Sequence, residues 1–188
     1  MFPCGRAVRA NMEGEIFMLV DAHCHLTGSN AEGRDPEPIL ARARACGVQG
    51  CVVVGTDLED SGEVLALVQR LPGLQASLGV HPHEAHSWNG AVAAALERLL
   101  QHPQVRFLGE TGLDWHYDLS PRDIQEEAFR AQIRMAGRAA KPLMIHTREA
   151  PRETLRILRE ERADHVGGII HCFSEDLAFA REALEMGF

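Results

Sequence analysis

The chain has one lysine (Lys141), one tyrosine, two tryptophans and no CxxC pair, and each shortage excludes something. With a formal net charge of −8 and a pI near 5.7, no overall basic surface announces a polyanionic partner, so a phosphate-bearing one needs local charge or a bound cation. The five cysteines, Cys4, Cys24, Cys46, Cys51 and Cys172, are odd in number, which suits reduced thiols rather than a disulfide framework. No apolar run is long enough to span a bilayer. The opening "MFPCGRAVRANMEGEIF" carries Arg6 and Arg9 but no apolar signal stretch behind them. These absences predict a cytoplasmic protein with no membrane association. Because the run "MLVDAHCHL" begins at Met18, residues 1–17 are expected to be an unstructured extension or a misassigned start, with one folded domain over 18–188.

What is present is enough for a single core: 188 residues, 45% of them hydrophobic. Six short apolar runs, "MLVDAHCHL", "GVQGCVVVGT", "LQASLGVHP", "VRFLGETGLD", "KPLMIHT" and "HVGGIIHCFS", alternate with stretches of helical period rich in Ala, Leu, Arg and Glu. Near-continuous apolar strands such as "GCVVVG" are buried on both faces, as in a parallel sheet covered by helices, so the class is α/β. Helices are expected over residues 38–46, 60–70, 90–101, 150–161 and 176–186. A longer one is expected in "SPRDIQEEAFRAQIRMAGRAA", where Ser120 is placed to cap, Pro121 opens the first turn and Asp123 faces the positive end.

Ten histidines in a chain of this length produce an HxH pair by chance roughly half the time. There are two such pairs, His23/His25 and His81/His83, and alone neither outweighs solvated strand-end histidines. Position changes the balance. His23, His25, His81, His146 and His171 fall at the C-terminal ends of four predicted strands, and Glu110 takes the same place on a fifth. On a strand, residues i and i+2 share a face, so His23 and His25 can point into one mouth while Cys24 points away. Imidazoles with a carboxylate suit divalent metals, and Glu110 can bridge two ions with His146 and His171 completing the second. Such a pair of cations favours hydrolysis of a phosphoryl or carbonyl centre.

Other groups keep two readings. Arg148 is either a phosphate-neutralising group or an exposed arginine at a helix start. Asp21 and Asp114 either orient ligands or mark strand and loop boundaries. His83, His86 and His116 are read as loop histidines, His83 being the best placed for substrate. Cys24 and Cys172 are expected as buried thiols turned away from the site.

The blocks "VDAHCHL", "GVHPHEA", "LGETGLDWHYD", "QEEAFRAQIRMAGRAAKPLMIHTREA" and "GGIIHCFS", in that order over residues 18–188, resemble the TatD family of metal-dependent hydrolases and deoxyribonucleases. The resemblance implies a TIM-type (β/α) barrel with two divalent ions (Mg, Mn or Zn) at its C-terminal face. It places His23 and His25 on one ion, Glu110 bridging as the catalytic carboxylate, and His146 and His171 on the other. His81 would lie at the substrate mouth; His83 and Arg148 are added as substrate contacts on their own position and chemistry, not on the resemblance. DNA is the implied substrate, cut from an end, with no obligate protein partner. The sequence departs from the family in lacking an "ETDSP"-like block with its last-strand aspartate. About six of the eight βα units expected of such a barrel are recognisable, so the chain reads as incomplete at its C-terminus. Two alternatives follow: a dinuclear hydrolase of a small amide, ester or lactone, and a catalytically impaired fragment. Lys141 precedes the fifth strand and Glu110 holds the bridging place, which disfavours a carbamylated-lysine centre.

Overall fold

The computed structural model describes residues 19–28, 31 and 33–188; the expected extension over 1–17 lies outside them. Six strands alternate with six α-helices: β1 Leu19–Cys24, α1 Pro36–Ala45, β2 Val48–Val54, α2 Leu58–Arg70, β3 Leu74–Leu78, α3 Gly90–Leu99, β4 Val105–Asp114, α4 Arg122–Ala139, β5 Leu143–Arg148, α5 Pro151–Glu160, β6 Gly168–Ile170 and α6 Leu177–Glu185. All neighbouring pairs are parallel and the sheet order is β1-β2-β3-β4-β5-β6, the curled partial barrel of a TIM-type fold. No helix among the described residues is long and apolar enough to cross a membrane.

Strand alternation divides the apolar residues between two layers. Val53, Leu143 and Ile145 join the main core under the helices, with Leu78, Leu108, Phe129 and Ile133. Val52, Val54 and Met144 face the inside of the curl with Phe107 and Ile169. His146 follows Met144 by two residues and so continues the inner face. On β4 the parity changes: register shifts between Leu108 and Thr111, so Glu110, two residues after core-facing Leu108, is turned inward. Gly109 (φ 141°) and Gly112 (φ 148°) make this possible, because a Cβ would stand 2.3 Å from the Met144 carbonyl oxygen at the first and 1.9 Å from that of His146 at the second.

Helix α4 buries Phe129, Ile133 and Ala136, and truncating fully buried Phe129 to alanine would cost about 3–5 kcal/mol. Two glutamines seven residues apart share its buried side. Gln125 accepts from the Asp114 N–H at 2.9 Å and donates to the Asp114 and Ser120 carbonyls. Gln132 accepts from the Val80 N–H at 2.8 Å and donates to the Val80 carbonyl and Thr111 Oγ1. Between them they satisfy buried backbone groups at the ends of β3 and β4, beside His81 and Asp114.

Two local expectations are corrected. Pro121, not Ser120, is the residue flanking α4, and no side chain caps it. Ser120 is fully buried and its hydroxyl is used elsewhere, donating to the His83 carbonyl at 2.7 Å and accepting from the His86 N–H. Cys172 is exposed rather than buried, because β6 ends at Ile170 and Cys172 (φ 47°) has left the strand, where alternation no longer applies.

Candidate metal centre

Five histidine rings converge on one carboxylate. Glu110 is 2% exposed, and its Oε2 faces His23 Nε2 at 3.2 Å and His25 Nε2 at 3.6 Å. Its Oε1 faces His171 Nε2 at 2.5 Å, His146 Nδ1 at 2.8 Å and His81 Nε2 at 3.4 Å. The rings come from the ends of β1, β3, β5 and β6. His171 is held by its N–H, which donates to the Ile145 carbonyl just past β6, and its ring stacks on His23 with centroids 3.8 Å apart. Grouped by mutual closeness of ligand atoms, His23 and His171 share Glu110 on one side and His81 and His146 share it on the other. The expected partition put His25 with His23, and His25 Nε2 does lie 3.1 Å from His23 Nε2.

Hydrogen-bond partners assign the ring protons. His25 Nδ1 is 3.0 Å from the Val54 carbonyl, an acceptor, so Nδ1 carries the hydrogen and Nε2 turns a lone pair toward Glu110. His81 has the opposite tautomer: its Nδ1 accepts from the His83 N–H at 3.1 Å, so a hydrogen on Nε2 points at Glu110 and His146. His146 lies between two carboxylates, its Nε2 3.0 Å from Asp114 Oδ2 and its Nδ1 2.8 Å from Glu110 Oε1, so the protonated ring donates to both and the neutral ring turns one lone pair to a carboxylate. The lone pair of His25 thus faces a carboxylate with no hydrogen to share, and His146 between two carboxylates repeats the mismatch whenever its ring is neutral, an arrangement that a proton or a cation must relieve. The donor set of imidazole nitrogens and one carboxylate fits a divalent metal.

Burial opposes charge on Glu110, but hydrogen bonds from His146, His171, His23 and His81 overcome it and hold its carboxyl well below the usual carboxylate range. Burial also opposes ionisation of Asp114, yet the Tyr117 N–H and the His83 and His146 rings hold it at about 2. His81 is pushed down to about 4, chiefly by burial, and is neutral at physiological pH. Burial lowers His146 too, but its two carboxylate neighbours win and raise it above the ordinary value.

Of the other residues singled out in the sequence, His83 is drawn in from its loop, with Nε2 2.9 Å from Asp114 Oδ2. His86 and His116 stay outside, His116 pairing with Glu149. Asp21 lies near Cys24 and Cys51 on the helix-facing side, and only its bond from the His23 N–H links it to the site. Arg148 is exposed, its guanidinium over the Tyr117 ring. Asp114 is the residue whose part the sequence least discloses. It is fully buried and takes four hydrogen bonds, from His83, His146 and the His116 and Tyr117 N–H groups.

A family model described as TatD related DNase matches residues 20–188. The chain belongs to the TatD family of metal-dependent hydrolases. Among TatD relatives, the uncharacterized metal-dependent hydrolase YabD of Bacillus subtilis is 39% identical over 171 residues, which cover 91% of this chain and 67% of that protein. A protein of Klebsiella pneumoniae named 3'-5' ssDNA/RNA exonuclease TatD is 36% identical over 169 residues, 90% of this chain and 64% of its own length. Among solved structures, the TatD homologue YjjV of Escherichia coli superposes with a TM-score of 0.84 at 28% identity, covering 92% of this chain and 67% of that one. A TatD family hydrolase of Entamoeba histolytica shares the fold, with a TM-score of 0.79 at 21% identity over 90% of this chain and 63% of its own. The chain thus spans roughly two thirds of the length of these relatives.

Proposed function

We propose that this TatD chain belongs to a cytoplasmic deoxyribonuclease that removes nucleotides from an end of single-stranded DNA, using two divalent ions. The observation that carries the reading is the convergence of five imidazoles on buried Glu110, with the His25 lone pair turned toward it. In this reading His23 and His25 would hold one ion and His146 and His171 the other, with Glu110 shared between them. Bound there, such ions would supply an activated water and positive charge beside the phosphoryl group. They also supply the local positive charge that a chain of net charge −8 lacks.

The protein's own groups do the rest. His25 is oriented by the Val54 carbonyl and His146 by Asp114, so both rings are held in place before any ligand arrives. His81, neutral and with its hydrogen on Nε2, is a donor for a phosphate oxygen rather than a ligand. Arg148 and His83 lie further out, toward the scissile group's neighbours. The relatives from Klebsiella pneumoniae and Edwardsiella piscicida bearing the exonuclease name support this substrate class. A carbamylated-lysine centre is disfavoured because Lys141 Nζ donates to the Val105 carbonyl at the opposite end of β4.

The test is digestion of end-labelled single-stranded DNA by the full chain with Mg2+ or Mn2+. Shortening from one end is expected, abolished by EDTA. Glu110→Gln should lower the rate roughly a thousandfold or more, with loss of bound metal measured by mass spectrometry. Undiminished digestion by that variant would refute the reading.

A further inference from the structure

We propose that Tyr117, backed by Arg148, is a stacking shelf for an unpaired base of the nucleic acid whose backbone reaches Glu110. This deepens the nuclease reading and rests on it for the identity of the ligand.

Tyr117 is the only tyrosine of the chain, stands in the turn between β4 and α4, and is 55% exposed. Its position is fixed all the same. Its N–H donates to Asp114 Oδ1 at 2.9 Å, so the carboxylate that orients His83 and His146 also places the shelf. The ring stands edge to face with His83, centroids 5.5 Å apart, and His83 is 4.3 Å from His81 by the same measure. Only two rings therefore separate Tyr117 from the Glu110 carboxylate.

Arg148, two residues beyond His146, holds its guanidinium carbon 5.1 Å from the Tyr117 ring centre, and no carboxylate pairs with it among the described residues. The neighbouring arginine and ring are spent differently. Arg122 lies over Trp115 at 4.6 Å, but its charge is met by Asp118 and Trp115 is half-buried against the core. Nearby Glu149 is paired with His116, and Glu84 lies 3.9 Å from His86. The named arginines here, Arg122 and Arg148, are outnumbered by Glu84, Asp118 and Glu149, so a polyanion gains little from the general field. An exposed ring with an unpaired guanidinium on it offers stacking and cation–π contact, the means by which single strands are gripped without base-specific hydrogen bonds. A duplex keeps its bases stacked inside, so the shelf selects unpaired ends.

The experiment is a cycle between protein and substrate. The full chain is given Mn2+ and a short oligothymidylate, or the same strand with a tetrahydrofuran abasic residue beside the scissile bond. Wild type should lose about tenfold in kcat/KM on the abasic strand, equal to about 1.4 kcal/mol and within the range for a base on an aromatic ring. Tyr117→Ala should lose the same factor on the intact strand and nothing further on the abasic one, while Tyr117→Phe keeps the wild-type value. Losses that multiply independently, or full activity of Tyr117→Ala on the intact strand, overturn the shelf. The same cycle read by fluorescence anisotropy of the labelled strands separates the two readings. Tyr117-dependent binding without cleavage sinks the nuclease reading alone, cleavage indifferent to Tyr117 sinks the shelf alone, and neither binding nor cleavage sinks both.

Discussion

The ends of β1 and β3 carry the same three-letter pattern, His23-Cys24-His25 and His81-Pro82-His83, and use it differently. At β1 the backbone stays extended, and both imidazoles present Nε2 to the same oxygen of Glu110. At β3 the pair begins a 3-10 turn over Pro82–Ser87, and His81 Nδ1 accepts the N–H of His83 itself. That bond turns a hydrogen, not a lone pair, toward Glu110, and it sends His83 away to Asp114. Spacing in sequence is shared; what separates the proposed ligand pair from a donor and its neighbour is the backbone on which the spacing is laid.

Replacing one member of each pair is the strongest way to break the contrast. His25→Ala should empty one metal position and lower activity by about a hundredfold or more, whereas His83→Ala should leave metal content near wild type and cost about tenfold. Equal metal loss from both variants, by mass spectrometry of dialysed protein, would erase the distinction.

Asp114→Asn should fall between them, weakening metal retention about 10–100-fold because His146 loses the acceptor that aims it. It should also alter the acid limb of stability. Asp114 titrates at about 2 against an ordinary 3.8, so its charge stabilises the fold by about 2 kcal/mol above pH 3.8 and this is lost as pH falls through 2. Urea denaturation of metal-free protein should therefore show wild type ahead of the variant at pH 6, with the gap closing near pH 2.

The smallest effect is expected from Ser120→Ala. It removes a hydroxyl bound to the His83 carbonyl and the His86 N–H, costing about 1–3 kcal/mol in melting experiments while metal at the β1 pair is unchanged.

Much of this arrangement was legible beforehand for identifiable reasons. The six strands announced themselves as short apolar runs because both faces of a parallel strand are covered, and the histidines at their ends were conspicuous because polar residues rarely close such runs. Asp114 was legible only as one of two readings, a group that orients a ligand or a boundary residue. Its partners are far away in sequence, His83 by 31 residues and His146 by 32, and an aspartate after a strand reads equally well as a boundary. Gln125 and Gln132 gave a usable sign, two amides seven apart on the apolar stripe of an amphipathic helix, which polar surface residues would not match. Ser120 misled because its place before Pro121 has the right composition for a cap, while the loop after β3, remote in sequence, claimed its hydroxyl.

Gly109 just before Glu110 and Gly112 two residues after it press bare main chain against the Met144 and His146 carbonyls. Any side chain gained there by mutation has to displace β5, and β5 carries His146. Genetic drift at these two positions would thus be felt at the catalytic centre before it was felt in the fold, and inactive variants that still melt cooperatively should be found there first.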